Sequence, residues 1–220
     1  MRRRMCCLLL FSGLCWAAAK PHVVSFGKWN QVKWSTGEDE SHPIEMKVRP
    51  IFVDTRLREF TVGLPHEVTD RVFVVQRAFR LNDALPDEPA APKWTWQRGG
   101  WLMVDRSSGK ISPLNLPEFD VRYSNATWYR DYVAYCTVSI DGKKLFGVVA
   151  QIGRRKLILR KTLPDPNPSS DATCSAPGWQ RQPARVTFSP GSSQKVTYAI
   201  RGSVVDLVTD SDEDSDADQD

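Results

Sequence analysis

Apolar residues recur along the chain in short runs with a period near two, broken by glycine, proline and Asp-Gly pairs; the 3.6-residue period of an amphipathic helix is nearly absent beyond the first 19 residues. The pattern is densest from Trp94 to Lys161. Trp101 to Asp105 and Lys110 to Leu114 are expected to pair around Ser107-Ser108-Gly109, and Tyr132 to Ile140 with Lys143 to Ile152 around Asp141-Gly142, the strongest hairpin signal present. Leu145 to Ile152 is apolar nearly throughout, which predicts a central strand. Lys156 to Lys161 should return beside it, with Leu157 and Leu159 on one face and Ile158 on the other.

Either side of this stretch the same chemistry continues. Residues 22–26 and 29–34 read as a first hairpin, and Met46 to Phe52 and Val53 to Val62 as two further strands, the latter ended by Gly63-Leu64-Pro65-His66 because proline cannot serve a central ladder. Arg71 to Leu81 has apolar residues on both faces and predicts a strand inside a sheet. Asn82 to Lys93, with Pro86, Pro89 and Pro92, reads as a loop, and Leu163 to Pro183 as a long irregular passage with five prolines. Arg185 to Ser189, Lys195 to Ile200 and Ser203 to Val208 predict a final three-strand meander. The expected fold is all-β: antiparallel meanders forming a β-sandwich or a small stack, with little helix.

The two ends change the picture. Arg2-Arg3-Arg4, the apolar run Cys6 to Trp16 and Ala17-Ala18-Ala19 have the layout of a signal peptide over residues 1–19, and an eleven-residue run is too short to span a bilayer. Export to a periplasm or to the outside is the expectation, with no transmembrane segment after cleavage. Residues 210–220 hold seven acids and no base, an acidic tail expected to be disordered; residues 20–209 are expected to form one domain. The whole chain carries +4, but the body between signal and tail has 27 basic against 19 acidic residues. Cys136 and Cys174 are the cysteines that remain after cleavage, and in an oxidising compartment they are expected to bridge. A loop of about 39 residues closed this way is stabilised by roughly 3 to 4 kcal/mol in the chain-entropy account.

Ser139 to Val148, with its serine and Asp-Gly turn before lysines and an apolar strand, resembles a blade hairpin of the exported β-propellers of the TolB, WD40-like kind, and Leu102 to Ile111 is similar to one as well. The resemblance covers about a third of the chain, and Ile140 stands where that family has proline. It implies a propeller-like stack; at about 40 to 45 residues a blade, the length allows about four. Four copies of one pattern are not found.

No nucleophile elbow, zinc-protease motif or phosphate-binding glycine loop occurs, so no catalytic residue and no metal or cofactor is assigned. Asp54, Glu59, Asp105 and Asp131 are the carboxylates that a glycan or ester hydrolase would draw on. His22, His42 and His66 are widely spaced and read as solvated loop residues. Trp94, Trp96, Trp101 and Trp128 are the candidate ligand-binding residues: flat aromatic rings bind sugars or apolar partner surfaces, although the same rings could fill a core. Lys143 and Lys144, with Arg154, Arg155 and Lys156, could meet as a basic patch if adjacent turns converge. Asn125-Ala126-Thr127 has the form of a glycosylation sequon. The expected function is a non-enzymatic binding module of the envelope or extracellular space, with a protein or glycan partner and no nucleic acid. A carbohydrate-binding module is the narrower form of this expectation, and a hydrolase the alternative.

Overall fold

The computed structural model describes residues 22–34, 44–82, 94–121, 123–164, 175–190, 195–202 and 204–208. The expected signal segment, His42, the loop at 83–93, Cys174 and the acidic tail lie outside the described residues. The described residues form fifteen strands and no helix, arranged as three sheets, so the chain is all-β and built of antiparallel meanders as expected. No helix long and apolar enough to cross a membrane occurs among them.

The first sheet comprises β1 (Val24–Phe26), β2 (Asn30–Trp34), β3 (Ile44–Val53), β4 (Arg56–Glu67), β5 (Val72–Asn82), β6 (Trp94–Asp105) and β7 (Lys110–Leu114). Strands β2 to β6 pair antiparallel in chain order, and β6 returns to β2 through a parallel bridge, Trp34 opposite Trp96, which closes the five strands into a ring. β1 extends the sheet beside β3, and β7 beside β6. Because side chains alternate along a strand, β3 feeds two cores. Met46 and Val48 join Trp34 and Ala78, with Phe60, Val62 and Trp96 packed around them, whereas Ile51 points the other way and joins Phe73, Val75, Leu102 and Val104.

Gly63 to His66 does not end β4. The strand runs on to Glu67 with a register irregularity between Val62 and His66, where Gly63 takes a φ of 72°. Pro65 sits between the two paired stretches, where its missing N–H costs no ladder bond. The excursion also carries Leu64 outward, leaving it 77% exposed.

The second sheet is the meander β8 (Thr127–Tyr129), β9 (Tyr132–Val138), β10 (Leu145–Gln151) and β11 (Leu159–Thr162), and the third is β12 (Gly178–Gln180), β13 (Arg185–Phe188), β14 (Val196–Arg201) and β15 (Val204–Leu207). The apolar run of β10 has the central position its composition predicts: Phe146, Val148 and Ala150 face one cluster with Val133 and Tyr135, while Leu145 and Val149 face the other with Val186, Phe188, Tyr198 and Ile200 of the third sheet. At Gly147 a Cβ would lie 3.2 Å from side-chain atoms of Leu163 and Phe188, so glycine lets the two sheets close on one another. Polar ties follow the same seam. Thr127 Oγ1 donates to the Pro177 carbonyl (2.8 Å), Trp179 Nε1 to the Thr127 carbonyl (3.2 Å), and Tyr129 Oη to the Arg181 carbonyl (3.1 Å).

Three further local readings differ from expectation. Residues 22–26 and 29–34 do not form a hairpin: β1 and β2 both pair antiparallel with β3, because Gly27 to Trp29 carries the chain on along β3 instead of turning it back. Gly178–Gln180 is a strand inside the passage expected to be irregular; it is three residues long, too short for alternation to register. Leu157 and Leu159 do not share a face: Leu157 packs with Phe146 and Val148, and Leu159 and Ile158 with the other cluster, because the strand begins only at Leu159.

Candidate functional site

Strand β6 organises the site through an irregularity. Gln76 pairs with Trp101 and Ala78 with Arg98, so one residue of β5, Arg77, opposes two of β6. The extra residue, at Gly99-Gly100, reverses the alternation of β6. Trp101 and Arg98, three positions apart, consequently lie on the same face of the sheet, the face that carries Trp34 and Trp96. Gly99 sits at a tight approach, where a Cβ would lie 3.1 Å from Arg77 Cβ; at Gly100 a Cβ would meet nothing.

On that face the first sheet meets the second. Trp101 packs edge-on against Trp128 of β8, with ring centroids 5.0 Å apart, and Trp128 stacks on His66 at 5.8 Å. His66 Nε2 lies 2.7 Å from the Arg130 carbonyl and must donate to it, because a carbonyl only accepts. The histidine expected to be a solvated loop residue is therefore a bridge between sheets. Its position became structural when β4 continued through the Gly63 excursion.

The seam opens into a cleft in two connected parts. One part, of about 430 Å³, is lined by His66, Gln76, Arg98, Trp101, Asn125 and Trp128; the other, of about 400 Å³, by Trp29, Trp34, Ile44, Met46 and Glu45, and both share Val62, Gly63, Leu64 and Arg98. The walls are mainly aromatic and aliphatic, and the polar side chains on them, among them Glu45, Lys47, Gln76, Arg98 and Asn125, include both donors and acceptors. The indole Nε1 atoms of Trp34, Trp101 and Trp128 and the Arg98 Nε are buried without an acceptor. Trp34 is 7% exposed and Trp101 9%. A buried donor left unpaired costs roughly 1 to 3 kcal/mol, and these atoms are shielded behind the cleft wall, not presented on it. Arg98 stands at the junction, its guanidinium 5.3 Å from the Trp34 ring centre, with Nη2 donating to the Gln76 amide oxygen (3.2 Å) and lying 3.5 Å from that of Asn125. Burial pushes its pKa below the usual arginine value.

Of the four candidate tryptophans, Trp101 and Trp128 come together in this cleft. Trp96 is half-buried beside the cluster around Trp34, edge-on to Phe60 at 5.1 Å, and Trp94 is 51% exposed at the far end of β6, under the Arg80 guanidinium at 4.8 Å. The rings form a lined cleft and not one flat platform. The basic residues do not converge. Lys143 and Lys144 occupy the turn before β10 and Arg154, Arg155 and Lys156 the turn after it, and a strand of seven residues holds the two groups about 20 Å apart.

The carboxylates named above are each engaged by another kind of group. Asp54 takes His22 Nδ1 at 2.6 Å, Glu59 takes Arg77 at 2.9 Å and Asp131 accepts from Gln151 at 2.7 Å. Asp105 is held near pKa 2 by hydrogen bonds from Ser107 and Ser108. A larger open hollow of about 1120 Å³ lies beside the β9–β10 turn, but its cation, Arg160, is bound by both oxygens of Glu118 at 2.9 and 3.0 Å. Among the described residues no cluster of metal-ligating side chains occurs. Cys136 is buried on β9; its expected partner Cys174 lies outside the described residues. Asn125 of the sequon is exposed at the cleft edge, while Thr127 is tied to Pro177.

Sequence reasoning missed Trp34, His66, Gln76 and Arg98 as members of one site. The available signal was Gly99-Gly100 inside an otherwise β-rich run, which marks a bulge. Comparison with known protein families and with curated proteins finds no match to this chain.

Proposed function

We propose that the protein is an exported, non-enzymatic binding module that takes a glycan into the cleft between β6 and β8. The observation that carries this reading is the aromatic lining of the cleft by Trp29, Trp34, Trp101 and Trp128, with the side chains of Gln76, Arg98 and Asn125 among the rings. A sugar ring matches such a wall with its C–H face and exchanges hydrogen bonds with the polar side chains through its hydroxyls. The test is intrinsic tryptophan fluorescence of the purified protein titrated with soluble oligosaccharides, beside Trp34→Phe and Trp128→Phe, which keep a ring and shrink the aromatic wall. Saturable quenching that either variant weakens supports the reading; the absence of any response across neutral and acidic oligosaccharides removes it.

Export accounts for the signal-like segment 1–19, and with it goes the Cys136–Cys174 bridge. Pro177 is fixed to Thr127, which pairs with Ala134 two residues from Cys136, so Cys174 starts only three residues from an anchored point. Intact mass of the secreted product should begin at Lys20 and be two hydrogens lighter than its reduced form; an unprocessed N-terminus or two free thiols would refute the respective parts.

A further inference from the structure

Resting on the reading of the cleft as a glycan site, we propose that its ligand is an acidic glycan whose carboxylate is received by Arg98. The place of Arg98 on the cleft wall carries the argument: Arg49, whose Nε is likewise buried without an acceptor and which has no carboxylate among the described residues within ion-pair distance, lines neither part of the cleft. Arg77, Arg106 and Arg160 are each paired with a carboxylate, Glu59, Glu67 and Glu118 respectively. Arg98 meets only the neutral amides of Gln76 and Asn125 and the Trp34 ring, and no carboxylate among the described residues is within ion-pair distance of it. The carboxylate on the cleft rim, Glu45, is hydrogen-bonded by Gln31.

A partly buried guanidinium without a counter-anion is costly to maintain in an apolar wall, and the cost is recovered when an anion arrives. The planar fork of arginine suits a carboxylate in particular, which it can grip with two parallel N–H bonds. The surrounding groups add direction: Trp101 and Trp128 line the same part of the cleft as Arg98, so a sugar ring carrying a carboxylate can meet the cation with its charge and the indole rings with its C–H face. A neutral sugar would cover the rings and leave the cation uncompensated.

The experiment titrates the purified protein with trigalacturonate, with its fully methyl-esterified counterpart and with a sulfated disaccharide, following tryptophan fluorescence at low and at physiological salt. The acid is expected to bind at least tenfold more tightly than the ester, and Arg98→Gln to abolish that preference while Arg98→Lys retains part of it. Thermal melting of Arg98→Gln without ligand should be no lower than that of the parent, since the substitution removes an uncompensated charge; a marked drop would give Arg98 a structural role and overturn the proposal. Equal binding of acid and ester by the parent would overturn it and leave the glycan reading standing. Preference for the sulfated sugar would overturn the carboxylate assignment, and silence from all three probes would fell both readings.

Discussion

The bulge at Gly99-Gly100 makes a quantitative prediction. Deleting Gly100 brings Arg98 and Trp101 two positions apart, opposite Ala78 and Gln76, so regular pairing between β5 and β6 returns with both halves of β6 on the faces they already occupy. Leu102 and Val104, 3% and 0% exposed, then stay in the core shared with Ile51, Phe73 and Val75. Turning that half over would expose two such side chains at roughly 1.5 to 3 kcal/mol each, about 3 to 6 kcal/mol in all, comparable to the whole stability of an ordinary domain at about 5 to 15 kcal/mol. The deletion is expected to lose far less than that. The controls are point substitutions. Gly100→Ala places its Cβ in open space and should lie within about 0.5 kcal/mol of the parent, whereas Gly99→Ala meets Arg77 Cβ at 3.1 Å and its backbone oxygen at 3.3 Å and should be distinctly worse. Urea unfolding monitored by tryptophan fluorescence gives all three midpoints. A Gly100 deletion that loses about 3 kcal/mol or more, or that exposes Trp101, would refute the reading of Gly100 as the extra residue of this pairing.

Tyr135, fully buried on β9, donates its hydroxyl to the Pro117 carbonyl at 2.5 Å and so fixes the connection from β7 to β8; Tyr135→Phe leaves that carbonyl unpaired and should cost about 1 to 3 kcal/mol in urea unfolding. The same residue predicts an alkaline limb: burial and then the nearby Glu118 charge raise its pKa, so its contribution is complete below pH 10 and is lost as pH climbs from there toward the folded value. The slope attributable to Tyr135 is about 1.4 kcal/mol per pH unit and should vanish in Tyr135→Phe, with Tyr198, also raised by burial, supplying what remains. A parent and variant with parallel curves above pH 10 would contradict the assignment.

What could be read from the sequence was local. The Asp141-Gly142 turn forms as its chemistry demands, with Gly142 at a φ of 71° and its N–H donating to Ser139 at 2.8 Å. The apolar density of Arg71 to Leu81 and Leu145 to Ile152 correctly marks strands buried on both faces. Both stretches that resemble propeller hairpins, Leu102 to Ile111 and Ser139 to Val148, are hairpins. Reading failed wherever pairing departs from strict alternation. A two-residue period extended through Gly99-Gly100 puts Trp101 on the wrong face relative to Trp96, and one stopped at Gly63 loses His66 from the sheet. Arg98 was passed over for a different reason: what distinguishes it is a place on the cleft wall combined with the lack of a nearby carboxylate, a property of the assembled neighbourhood with no counterpart in the residues beside it in the chain.

The ring of the first sheet closes through one bridge between residues 62 positions apart, Trp34 and Trp96, while its other seams zip through runs of neighbouring pairs. Bringing such distant ends together costs about 3.7 kcal/mol in loop entropy, which a single bridge does not repay. The seam is therefore expected to close late in folding, after the β5–β6 ladder has formed and the cluster around Trp34 has somewhere to pack. Native-state hydrogen exchange at the Trp34 and Trp96 amides, compared with Val75 and Leu102, would order these events; slower exchange at the seam would reverse them. Since Trp34 is both half of that closure and a wall of the cleft, an unclosed ring has no complete cleft, and a bound ligand would act as a latch on the last step of folding.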